Sequence, residues 1–180
     1  QALDLAMRAI LDPGDEVIMT DPGYVAYNPC VVLAGGTPVM VPTNEENNFE
    51  LSAVDIESRI TRQTKAILLG YPANPTGAVM SRDKLAAIAE VAQHHRLLVI
   101  SDEIYAALVY GVQHTCVATL PGMKEKTILL GGFSKAYAMT GWRIGYAAAP
   151  REIIAAMTKI HQYTMMCAPT IAQVAALEAL

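Results

Sequence analysis

An α/β fold with three layers, helices on both faces of a mostly parallel sheet, is predicted by three features of the sequence. Short apolar runs alternate with longer amphipathic helical patterns, the order expected of a sheet covered on both sides. The strand-like runs, such as Ala66–Leu69 and Leu97–Ile100, are apolar almost throughout, as strands buried on both faces are. Hydrophobic residues make up 53% of the 180 residues and charged ones 17%, enough to bury a sizeable core in about one domain.

The elements follow in chain order. Residues 1–11 read as a helix, with Leu3, Ala6, Met7 and Ile10 at helical spacing. The Asp12-Pro13-Gly14-Asp15 turn leads into a strand, Glu16–Thr20. A helix is predicted over Tyr24–Ala34, stopping at Gly35-Gly36, and Thr37–Val41 reads as the second strand. Leu51–Ile60 reads as a short helix and Lys65–Gly70 as the third strand. Ser81 is placed to cap a helix running through His95, with Asp83 and Lys84 in its first turn. Strands are predicted at Leu97–Ser101, Thr127–Gly131 and Arg143–Ala148. Pro150 opens a long helix at a position proline tolerates, with Ile153, Ile154, Met157 and Ile160 as its core stripe. Ile171–Leu180 continues in an apolar helical pattern. Both ends fall inside helical patterns without caps, so the chain is expected to be a fragment.

Composition narrows the function. A net charge of -4 and a pI near 5.5 argue against nucleic acid as a partner, since a phosphate backbone needs a basic face. No apolar run approaches the roughly 18 residues of a membrane span, and no signal peptide is visible. Cys30, Cys116 and Cys167 are distant, odd in number and form no CxxC pair. They are expected to be buried free thiols of a cytoplasmic protein rather than a disulfide framework or zinc site. His94 and His95 close a helix, where cations suit the dipole. His114 and His161 have no carboxylate or cysteine partner at metal-ligand spacing, so no metal is expected. Met139, Met157, Met165 and Met166 read as core or interface filler, and Trp142 as packing beneath the loop that carries Arg143.

Chemistry is expected at three successive strand ends, because ligands of open α/β sheets collect outside the carboxyl ends of the strands. After the third strand comes Tyr71-Pro72-Ala73-Asn74-Pro75-Thr76-Gly77, after the fourth Asp102-Glu103-Ile104-Tyr105, after the fifth Gly132-Phe133-Ser134-Lys135. Singly, each has a bland reading: a Pro/Gly turn, a helix-capping Asp102, a surface lysine. Together they fit a pyridoxal-phosphate (PLP) site. A lysine amine forms the Schiff base, a carboxylate keeps the pyridine nitrogen protonated, and an arginine fork holds the phosphate. Glu103 is not part of this set, because neighbours on a strand point to opposite faces.

The segments LDPGDEVIMTDPGYVAY (11–27), YPANPTGAV (71–79), SDEIYAALVY (101–110) and GGFSKAYAMTGWRIGYAAAP (131–150) resemble the fold-type I PLP enzymes, in particular the class I/II aminotransferases. The resemblance spans nearly the whole chain. It implies the large, PLP-binding domain of that fold over residues 1–180, without the small domain. It implies that Lys135 is the Schiff-base lysine and proton carrier, and that Asp102 partners the pyridine nitrogen. Asn74 and Tyr105 would then serve the ring hydroxyl, Arg143 the phosphate, and Tyr24 would stack on the ring. Lys135, Asp102 and Tyr105 are thus the implied catalytic set. The family often has a hydroxyl residue where Gly132 stands and an asparagine where Tyr71 stands; Ser134 is an alternative phosphate contact or a structural residue. The implied reaction moves an amino group from an amino acid to a 2-oxo acid in a cytoplasmic homodimer, in amino-acid metabolism. Because the site would be completed across the dimer, the 180 residues alone are expected to be poorly active. A carbon–sulfur lyase of the same fold and the PLP-sensing domain of a transcriptional regulator are the other readings.

Overall fold

In the computed structural model, which describes residues 1–180, the apolar runs form one six-stranded sheet. The elements are α1 (Ala2–Ile10), β1 (Glu16–Asp21), α2 (Tyr27–Leu33), β2 (Thr37–Pro42), α3 (Ala53–Glu57), β3 (Thr64–Gly70), α4 (Arg82–His94), β4 (Leu98–Asp102), β5 (Thr127–Gly132), β6 (Gly145–Ala148), α5 (Arg151–Thr164) and α6 (Thr170–Ala179). The strands lie in the order β2-β1-β3-β4-β5-β6. The first five are parallel, and β6 runs antiparallel to β5. The three-layer, mostly parallel α/β fold is therefore observed.

The period of two along each strand divides the core into two sides. Val17, Met19, Ala66, Leu68 and Ile100 pack with α1, α2 and α5 residues such as Met7, Val31 and Met157. Ile18, Ile67, Leu69 and Val99 pack on the other side with Ile56 of α3, Leu85 and Ile88 of α4, and the Val117–Met123 segment. Ile18, Ile67 and Leu68 are wholly buried, each contributing roughly 1.5–3 kcal/mol by leaving water. Ser81 caps α4 as its sequence position implies, its hydroxyl accepting the Lys84 amide hydrogen.

Three boundaries differ from the sequence expectation. The helix expected from Tyr24 begins at Tyr27: Pro22 to Ala26 turn first, the Tyr27 amide donates to the Tyr24 carbonyl, and no side chain caps the helix. The expected Leu51–Ile60 helix is the single turn Ala53–Glu57, because Ser52 caps it and accepts the Asp55 amide. The expected strand from Arg143 starts at Gly145, and Arg143 itself sits in the left-handed region at φ 53°. It forms the corner after the short 3-10 turn Thr140–Trp142, from which the chain reverses along β5.

Candidate active site

The carboxyl ends of β1, β3, β4 and β5 are neighbours in the sheet. A cleft of about 710 Å³ lies outside them. All seven residues predicted for the site, Tyr24, Asn74, Asp102, Tyr105, Ser134, Lys135 and Arg143, line it. The parallel register explains this: Gly70, Asp102 and Leu130 stand side by side on β3, β4 and β5, so the segments that follow emerge together.

Asp102 forms the floor. It is the last residue of β4, and no helix follows for it to cap; its Oδ1 instead accepts the Ile104 amide at 3.3 Å, closing a turn. Its Oδ2 accepts a hydrogen bond from the Tyr27 hydroxyl at 3.0 Å. Burial pushes the Asp102 carboxyl above its ordinary proton affinity, the Tyr27 and Ile104 donors oppose that, and the charge of Glu103 adds to it. Tyr27 is buried and its phenol is also pushed up, by burial first and then by the Asp102 charge. Tyr27 was not singled out from sequence. No local pattern marks it, since its partner Asp102 lies 75 positions away; its ring meets that of Tyr24 edge to face at 5.5 Å between centroids. Gly70 makes this possible: a Cβ there would lie 2.9 Å from the Tyr27 ring, and closer still to its hydroxyl.

The rim carries the cations. The Lys135 Nζ stands 5.6 Å from the centroid of the Tyr105 ring, within cation–π range. Lys135 and Arg143 are both exposed, and the loop joining them is held chiefly by backbone turns from Phe133 and Lys135. Thr140 ties it together: its hydroxyl donates to the Ser134 carbonyl at 2.8 Å, and its carbonyl accepts from Arg143 Nη1 at 2.8 Å. Trp142, expected beneath this loop, is 44% exposed, because the 3-10 turn carries it outward.

The two departures from the family pattern each have a packing partner elsewhere in the chain. Tyr71 lies outside the cleft, its hydroxyl donating to the Phe49 carbonyl at 3.0 Å and accepting the Leu51 amide at 3.1 Å. Burial pushes this phenol up to about 12. Gly132 pairs with Gly145 across β5 and β6, and a Cβ on it would lie 3.1 Å from the Gly145 Cα and from Ile104.

On the reverse face of β4, Glu103 is buried and bonds to Ser101, His114 and Val117. His114, which has no acidic neighbour at ligand spacing in sequence, thus finds one in space. His95 lies 3.4 Å from Glu57 at the end of α4. The thiols are not uniformly buried as expected: Cys30 and Cys116 are half-buried, and Cys167 is exposed in the turn between α5 and α6. Met139 and Met157 are buried, whereas Met165 and Met166 beside that turn are exposed. No helix is long and apolar enough to cross a membrane.

The family profile described as aminotransferase class I and II matches residues 1–180. This chain belongs to the class I and II aminotransferases. It is 56% identical over 180 residues to YugH of Bacillus subtilis, covering all of this chain and 47% of that protein. It is 46% identical over 181 residues to an aspartate aminotransferase of Pyrococcus abyssi, covering 46% of that enzyme. The crystal structure of an aromatic aminotransferase from Pyrococcus horikoshii superposes with a TM-score of 0.97 at 44% identity, over 99% of this chain and 48% of that one. The chain thus spans about half the length of these relatives.

Proposed function

We propose that the intact protein is a PLP-dependent aminotransferase and that this cleft is its cofactor site. The observation that carries the reading is the convergence, in one cleft, of a half-buried carboxylate at the end of β4 with an amine and a guanidinium from the β5–β6 loop. The donor set fits PLP on its own chemistry. Asp102 offers a floor carboxylate whose Oδ2 is already oriented by a neutral phenol. Lys135 offers a primary amine across the cleft, and Arg143 an exposed fork for a phosphate. Asn74 and Tyr105 offer donors for a ring hydroxyl between them, and Tyr24 an aromatic face. Ser134 reaches the same rim, beside Lys135.

When bound, PLP supplies an electron sink that weakens the bonds at the substrate Cα. The residues do the rest. Lys135 would hold the cofactor through its amine and, when free of it, would serve as the general base and acid that moves a proton. Asp102 would face the pyridine nitrogen and favour a positive charge there, an interaction strengthened by the partial burial of its carboxylate. Arg143 would hold the far end of the cofactor, its guanidinium steadied by a bond from Nη1 to the Thr140 carbonyl. Relatives named for aspartate and aromatic amino acids make a dicarboxylic or aromatic amino acid the first donors to test. A soluble homodimer in the cytoplasm is the assembly this reading carries with it.

The test uses the intact protein with added PLP, beside Lys135→Ala. Borohydride is expected to fix the cofactor to the Lys135 peptide by mass spectrometry, and the variant to carry none. Amino transfer from aspartate or an aromatic amino acid to a 2-oxo acid is expected in the wild type alone. Label on another lysine, or transfer by the variant at the wild-type rate, would overturn the reading.

A further inference from the structure

We propose that Glu103 and His114 form a positioning pair that holds the Asp102–Tyr105 turn against the cleft from the reverse face of the sheet. What the held residues do there rests on the cofactor reading above; that they are held does not.

The segment from Ile104 to Cys116 contains neither helix nor strand, yet its first residues carry Tyr105 into the cleft. A long irregular stretch at the root of a site needs an anchor. Glu103 supplies it. Its backbone amide donates to the Leu130 carbonyl of β5 at 2.9 Å, and its carbonyl accepts the Ala106 amide at 2.9 Å. Its side chain turns to the opposite face, where it is 8% exposed. There Oε2 accepts from His114 Nε2 at 2.7 Å, and Oε1 accepts from the Ser101 hydroxyl at 3.0 Å and the Val117 amide at 3.2 Å. The His114 and Val117 bonds join the far end of the irregular segment to its root, closing it as a loop. Burial alone would raise the Glu103 carboxyl; His114, Ser101 and Cys116 outweigh it and hold the group below its ordinary range.

The pair bears on the cleft in two ways. Asp102 and Glu103 are consecutive, so tilting the Glu103 backbone moves the Ile104 amide that orders Asp102 Oδ1. The Glu103 charge also acts through the strand, raising the proton affinity of Asp102. The titratable groups facing Glu103 are His114, Cys116 and, across the strand, Asp102. Asp102 in turn faces Tyr27.

The experiment compares wild type, His114→Ala and His114→Gln in the intact protein. Gln returns a side-chain N–H donor without an ionisable ring. Amide hydrogen exchange at Ile104 and Ala106 is measured by NMR without cofactor. In His114→Ala it is expected to quicken by about ten- to a hundredfold, the effect of losing one charge-assisted hydrogen bond, and His114→Gln is expected to restore most of it. With PLP added, the pH midpoint of the cofactor absorbance change is expected to move by about half a unit or more in His114→Ala and to return in His114→Gln. Unchanged exchange at Ile104 and Ala106, or a midpoint that stays put while Tm falls, would sink the proposal. If His114→Ala does not fold, Glu103→Gln keeps the volume and carries the same two expectations. A wild type that shows no cofactor band would refute the cofactor reading, and the exchange comparison would still decide the pair.

Discussion

Asp102 and Glu103 are adjacent carboxylates with opposite fates. β4 sends Asp102 towards the α1, α2 and α5 side, where its partners are a phenol and one backbone amide. It sends Glu103 to the other side, where a hydroxyl, an imidazole and a backbone amide converge on it. Burial penalises both charges. It wins at Asp102, whose proton affinity rises, and loses at Glu103, whose proton affinity falls. The difference teaches that burial alone does not set the charge; the number and strength of the donors opposite it decide whether burial prevails. The Glu103 carboxylate is met by internal partners on the reverse face, whereas Asp102 faces the cleft with two donors beside it.

The largest effect expected from this contrast is on chemistry. Asp102→Asn removes the charge facing the cleft and should slow amino transfer by about 10²–10⁴-fold, measured as kcat/KM in the intact protein. Glu103→Gln should slow it less than about tenfold, since Glu103 touches neither cofactor nor substrate. Equal losses in the two variants would erase the distinction.

Stability should rank them the other way. Glu103→Gln leaves buried donors without their carboxylate and is expected to cost about 1–3 kcal/mol, a Tm drop of roughly 2–12 °C by calorimetry. Asp102→Asn, without cofactor at neutral pH, removes the cost of a buried charge and should leave Tm unchanged or raised.

The pH dependence sharpens this. Glu103 titrates below its ordinary 4.5 when folded, so its stabilisation is present above that value and fades as pH falls through the folded pKa. Asp102 titrates above its ordinary 3.8 when folded, so its contribution is full below 3.8 and is lost as pH rises through the folded pKa. Urea denaturation across the acid range should therefore show the gap between wild type and Glu103→Gln closing below about pH 4.5. The gap between wild type and Asp102→Asn should move in the opposite sense. Parallel curves would contradict the assignment of opposite shifts.

The smallest effect belongs to Tyr27→Phe, which removes one donor from Asp102 and keeps the packed ring. PLP affinity is expected to change by about three- to tenfold, in line with the loss of one of the two hydrogen bonds that order Asp102. Gly70→Ala should reproduce at least that change, because a Cβ there displaces the Tyr27 ring. An indifferent Gly70→Ala would show that the Tyr27 position is not what orders Asp102.

The sequence by itself determined the layered α/β architecture and the neighbourhood of three strand ends, where Asn74, Asp102, Tyr105 and Lys135 stand; Arg143 was expected from the family resemblance. These are legible because apolar runs, turn residues and strand-end motifs are local patterns, and because parallel strands deliver their carboxyl ends to one side. Helix starts at Tyr27 and Ala53 were less legible, since a turn or a cap one or two residues away decides them. Only the tertiary structure decided that Tyr27 reaches Asp102 across 75 positions, that Gly70 leaves space for it, and that His114 closes on Glu103. Tyr71 likewise took its surroundings from a distant segment, the Phe49–Leu51 backbone. The physical reason is the same in each case: a side chain's proton affinity and exposure depend on which distant groups the fold lays against it, and no local pattern carries that information.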